Sequence, residues 1–84
     1  MDVTADWLTQ RVEDAPTAFG DDLPDRSALR ARMAWQKLKS QARAEDELWA
    51  FRNPPSTWRK LGKRMGYALV RDGEVIQSII TVES

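Results

Sequence analysis

Two runs rich in β-branched and aliphatic residues, Tyr67 to Arg71 and Glu74 to Val82, are separated by Asp72-Gly73. A two-residue Asp-Gly link between such runs specifies a β-hairpin, because a type I′ turn needs positive φ at both central positions. With that pair as the loop, Arg71 faces Glu74, Val70 faces Val75, Leu69 faces Ile76, Ala68 faces Gln77, Tyr67 faces Ser78 and Gly66 faces Ile79. Arg71 and Glu74 would pair across the strands, contributing under about 1 kcal/mol. One face of the hairpin then carries Tyr67, Leu69, Ile76 and Ile80, and the other Ala68, Val70, Val75 and Ile79. Both faces are largely apolar, whereas a half-solvated antiparallel sheet alternates apolar with polar. Two such faces need two covers.

The first cover is a helix over residues 25–44, dominated by Ala, Leu, Arg, Lys, Gln and Met. Ala28, Ala31, Trp35, Leu38 and Ala42 recur every three or four residues and make a continuous apolar stripe. The bases split to its two flanks, with Arg32, Lys39 and Arg43 on one side and Arg26, Arg30 and Lys37 on the other. Bases that border an apolar stripe usually snorkel from a packed helix, whereas a helix on a phosphate backbone wants them on one outward face. Leu29 and Met33 lie off the stripe, between the basic flanks. They either pack under the N-terminal segment or face a partner.

The second cover is the open question. Val3, Trp7, Leu8 and Val12 have helical spacing, which predicts a short helix near 4–13. A helix this short forms only if Trp7 and Leu8 dock on something. Either Trp7, Leu8 and Phe19 close the second sheet face, or another molecule does. Residues 15–25 read as a loop, with Pro16, Gly20 and Pro24 breaking any period. Asp21, Asp22 and Asp25 form a D-D-x-x-D cluster, which reads as helix capping and N-terminal charge rather than as a Mg²⁺ site.

Residues 46–52 read as a strand, with Trp49 and Phe51 on one side and Leu48 and Ala50 on the other. Pro54 and Pro55 stop it and open a short helix over 54–61, with Asn53 as N-cap and Gly62 as terminator. Arg59, Lys60, Lys63 and Arg64 follow as the densest basic cluster, either solvated or in contact with an anionic partner. The stretch Trp49-Ala-Phe-Arg-Asn-Pro-Pro-Ser-Thr-Trp58, followed by Gly66-Tyr-Ala-Leu-Val-Arg-Asp-Gly73, resembles a pattern of small uncharacterised bacterial proteins. It covers residues 46–82. In that pattern the strand ends in Ser-Pro-Pro-Glu, so Asn53 and Ser56 leave the reciprocal capping box half present. The resemblance implies one unit of strand, helical turn and hairpin, and implies no activity.

The expected fold is therefore α+β, a single domain spanning residues 1–84. A three-stranded antiparallel sheet (46–52, 66–71 and 74–82), most simply a meander, carries the main helix on one face. Residues 1–24 are an acidic segment, peripheral or mobile. The chain has no Cys and no His, which removes the commonest nucleophile–base pairs and metal ligands. No Walker-type phosphate loop is present. No enzymatic activity and no cofactor are expected. No apolar run approaches the roughly 18 residues that span a bilayer, and no signal-peptide core is present, so a cytoplasmic location without a membrane partner is expected. The net charge is zero but blocked: seven acids against Arg11 in residues 1–25, then six bases and no acid in 26–44. Such blocks fit acidic and basic segments packed together better than steering toward nucleic acid. Two functional classes follow. One is a protein-interaction or self-assembly module using the face Val70, Val75, Ile79 or the edge of the last strand. The alternative is a small nucleic-acid-binding regulator using Arg59, Lys60, Lys63 and Arg64.

Overall fold

The type I′ turn forms as expected, with φ of 53° at Asp72 and 81° at Gly73. In the computed structural model, which describes residues 3–12, 23 and 28–83, this turn joins the last two strands of a four-stranded antiparallel sheet. The strands are β1 (Leu8–Arg11), β2 (Glu47–Arg52), β3 (Arg64–Arg71) and β4 (Glu74–Glu83), in the meander order β1-β2-β3-β4. The main helix, α1, spans Leu29–Gln41, and one short helix, α2, spans Trp58–Leu61. The fold is α+β with one antiparallel sheet, of four strands rather than three. Readings that involve Phe19, the Asp21-Asp22-Asp25 cluster and the start of the main helix before Ala28 lie outside the described residues.

The fourth strand comes from the segment expected to be helical. Ala5–Trp7 forms a single 3₁₀ turn, and Leu8–Arg11 then pairs with β2, Leu8 opposite Phe51 and Arg11 opposite Trp49. Four apolar residues at helical spacing cannot hold a free helix of this length. Pairing with the open edge of β2 satisfies the same backbone groups and still buries Trp7. A register shift between Leu8 and Gln10 turns the strand, so that Leu8 meets one side of the sheet and Val12 the other.

Both faces are sealed. On one, Trp35, Leu38 and Ala31 of α1 pack with Leu48, Tyr67, Leu69 and Leu23, and the Trp35 and Tyr67 rings meet edge to face at 5.4 Å. On the other, Val3 and Trp7 pack with Phe51 and Ala68, joined by Leu8, Leu61, Val75 and Ile80. The Trp7 and Phe51 rings lie 6.1 Å apart. The chain therefore supplies its own second cover.

The hairpin register departs from the uninterrupted ladder read from the sequence. Val70 pairs with Val75, but Leu69 pairs with Gln77, so Ile76 is an extra residue in β4. A second extra residue, Thr81, separates the Gly66–Ile80 and Met65–Val82 pairs. Each bulge reverses the side on which the following residues emerge. Ile79 therefore joins the α1-side core opposite Tyr67, and Ile80 joins the Trp7-side core, the reverse of the expected assignment. Gly66 makes the second bulge possible. A Cβ on Gly66 would lie 1.9 Å from the Ile79 carbonyl oxygen, which is backbone and cannot swing away. Gly66→Ala is expected to cost about 3 kcal/mol of folding stability in urea titrations, as a forced shift in a packed interior does. A loss below about 0.5 kcal/mol, typical of a surface change, would contradict this packing.

Candidate functional site

Asn53 organises the basic segment. It is fully buried and works as an internal clamp rather than as a helix cap. Its Nδ2 donates to Thr57 Oγ1 (2.9 Å) and to the Gly62 carbonyl (2.8 Å), and its Oδ1 accepts from the Arg64 backbone N–H (2.8 Å). The two prolines explain the difference. The first helical turn begins at Pro55 with Pro54 in the N-cap place, so Asn53 stands one residue outside the capping position and its amide reaches across the loop instead. Trp58 Nε1 donates to the Asn53 carbonyl at 2.9 Å and ties α2 to the same point.

This clamp splits the basic cluster. Arg64 is half-buried, pairs with Glu83 at 2.9 Å and donates from Nε to the Leu61 carbonyl. The Lys63 ammonium sits 5.6 Å from the centre of the Trp58 ring. Arg59 and Lys60 are exposed. The four bases thus do not present one uniform cationic surface.

The expected apolar face is also divided. Val70 is buried, Val75 packs toward Trp7, and Ile79 packs beneath α1 on the opposite side of the sheet. No single surface can display all three. Among the described residues the exposed large apolar side chains are instead Ile76 and Val82 of β4, at 40% and 45%, and Leu29 and Met33 of α1, at 73% and 63%. Ile76 is the first bulge residue and Val82 lies just beyond the second. They bracket Gln77–Ile80, four residues in unbroken register with β3. β4 is ten residues long and ends the strand order, so its far side carries backbone N–H and C=O groups with no strand against them among the described residues.

A cleft of about 70 Å³ lies between Thr9, Ala50, Met65, Tyr67, Thr81 and Val82. Pockets that enclose a small-molecule substrate run to roughly 300–1,000 Å³, so this cleft is too small to enclose one. Among the described residues no helix is long and apolar enough to cross a membrane.

One charged pair lies outside the basic cluster and the apolar face. Asp46 is buried in the turn between α1 and β2, and its carboxylate takes a two-pronged contact from Arg71, Nε to Oδ1 at 2.7 Å and Nη2 to Oδ2 at 2.8 Å. The Arg43 backbone N–H adds a third hydrogen bond at 2.8 Å. Arg71 therefore meets Asp46, not Glu74. The guanidinium hydrogen bonds hold the Asp46 carboxyl below its ordinary value of 3.8, against the opposing effect of burial. The pair locks the hairpin turn to the base of β2 and has the geometry of a structural tie.

No family model, curated protein or solved structure matches the chain.

Because the folded pKa of Asp46 is depressed, its contribution is present above the unfolded value of 3.8 and is lost as the pH falls through the folded value. Asp46→Asn is expected to lower the urea midpoint at neutral pH. The gap to wild type should narrow as the pH drops below 3.8. A gap that stays constant with pH would show that the carboxylate charge contributes nothing.

Proposed function

We propose that the protein is a non-enzymatic interaction module that assembles through the free edge of β4, with a second copy of the same strand as its occupant. The observation that carries this reading is the combination of a ten-residue terminal strand with Ile76 and Val82 exposed along it. Edges of that length are templates for another strand unless they are short, charged or covered. Here the only charges on β4 are Glu74 and Glu83 at its two ends. An edge is also self-complementary about a two-fold axis, so a second copy needs no further specificity. A centred antiparallel pairing brings Glu74 near Glu83 of the other copy, and Arg64 already neutralises Glu83.

Support for a non-enzymatic role comes from composition, since the chain has neither His nor Cys. The nucleic-acid alternative gains no observation in its favour, because Arg64 is engaged with Glu83 and Lys63 sits over Trp58. The sheet faces support the reading less than the edge does, since Trp35 and Leu38 pack on one and Trp7 on the other.

Sedimentation equilibrium at rising protein concentration tests the reading. Wild type is expected to gain mass toward the dimer. Ile76→Lys combined with Val82→Lys should remain a monomer that still unfolds cooperatively, because neither side chain belongs to the buried core. A wild type that stays monomeric up to the highest soluble concentration contradicts edge assembly.

A further inference from the structure

The outer side of α1 is a second surface, independent of β4. At about 100° per residue, Leu29, Met33, Gln36 and Ser40 fall within a sector of roughly 60°, opposite the buried Ala31, Trp35 and Leu38. All four are exposed. Leu29 and Met33 stand one turn apart and are the two most exposed large apolar side chains described. Arg30 and Lys37 border this ridge on one side and Arg32 on the other, all three exposed and in no ion pair among the described residues. Residues 26–44 contain no acid at all. The helix is thus amphipathic twice: one stripe feeds the core, and a second, narrower one is rimmed by cations.

We infer that this ridge docks an acidic amphipathic helix of another protein. Its apolar stripe would lie on Leu29 and Met33, and its flanking Asp or Glu would meet Arg30, Arg32 and Lys37. Other occupants fit less well. A second copy would bring like charges together along both flanks. A phosphate backbone would leave Leu29 and Met33 against anions, whereas a nucleic-acid helix face wants its bases contiguous. A bilayer would receive only these two side chains, because the inner face of α1 is occupied, and that is less than the one acyl chain that already gives only marginal binding. An acidic helix satisfies the stripe and both flanks together, in the way that charged flanking positions select partners around an apolar seam. The contact is small and belongs with weak, reversible interfaces below roughly 1,200 Å².

The test uses the full chain and a fluorescein-labelled synthetic peptide with a Leu stripe at helical spacing and Glu on both flanks. Its controls are the scrambled peptide, the same stripe flanked by Lys, and vesicles of phosphatidylglycerol and phosphatidylcholine. Fluorescence anisotropy should show the Glu-flanked peptide binding at least about tenfold more tightly than either control peptide, a difference of about 1.4 kcal/mol. Leu29→Gln with Met33→Gln should reduce it to the level of the scrambled peptide, with the thermal midpoint unchanged. Arg32→Gln with Lys37→Gln should weaken it and flatten its salt dependence. The Ile76→Lys and Val82→Lys variant should bind as wild type does, which separates this surface from the β4 edge. Equal binding of the scrambled peptide, unchanged binding after the Leu29 and Met33 substitutions, loss on the β4 substitutions, tighter binding to vesicles, or no binding would each overturn the proposal.

Discussion

Everything in this fold follows from β3 being apolar on both sides. Tyr67 and Leu69 need one cover, and Ala68 and Val70 another. One helix cannot provide both. α1 takes the first with Trp35 and Leu38, two of the largest fully buried side chains. The N-terminal turn takes the second by setting Val3 and Trp7 over Phe51 and Ala68. A chain of 84 residues has little core to spare, so neither cover is dispensable. The two β4 bulges serve the same requirement, since they send Ile79 to one core and Ile80 to the other. Gly66 lets the backbones approach closely enough for the second bulge to form.

Local signals in the sequence carry through to the fold. The Asp72-Gly73 turn depends only on the φ preferences of two residues, and the stripe of α1 only on a period sustained over several turns. The sides assigned to Leu48, Trp49, Ala50 and Phe51 hold because β2 runs without a bulge. Non-local features were not legible. The register of β4 depends on close backbone contacts with β3 that leave no mark on hydropathy, and its two bulges exchange the sides that an uninterrupted ladder gives Ile79 and Ile80. Spacing in residues 3–12 suits a helix or a turn leading into a strand, and the unpaired edge of β2 decides between them. Nothing in the composition sets Asp46 apart from Glu45 and Glu47 on either side of it. Pairing β2 with β3 would have exposed its role, since Glu47 faces Val70 and the next step along that ladder sets Asp46 beside Arg71.

The same closure shapes the functional reading. A sheet with a bare apolar face would have pointed to docking by face packing. With both faces filled by the chain, the surfaces left for partners are those that packing does not consume. Among the described residues, the two proposed as docking surfaces are the backbone edge of β4 and the outward ridge of α1, and they differ in chemistry. The edge offers hydrogen-bonding groups framed by Ile76 and Val82, and the ridge offers two apolar side chains framed by cations. Two such surfaces on one small domain would let it join partners of unlike kind.

The most direct test of this account is a double-mutant cycle between Trp7 and Phe51, using leucine at each position to keep the domain folded. If the N-terminal turn closes the second sheet face, the two rings at 6.1 Å are coupled. The cycle should then return about 1 kcal/mol of interaction free energy, as tilted aromatic pairs do. Additivity of the two substitutions to within about 0.3 kcal/mol would mean that Trp7 does not lie on Phe51, and the second face would again need a cover from outside the chain.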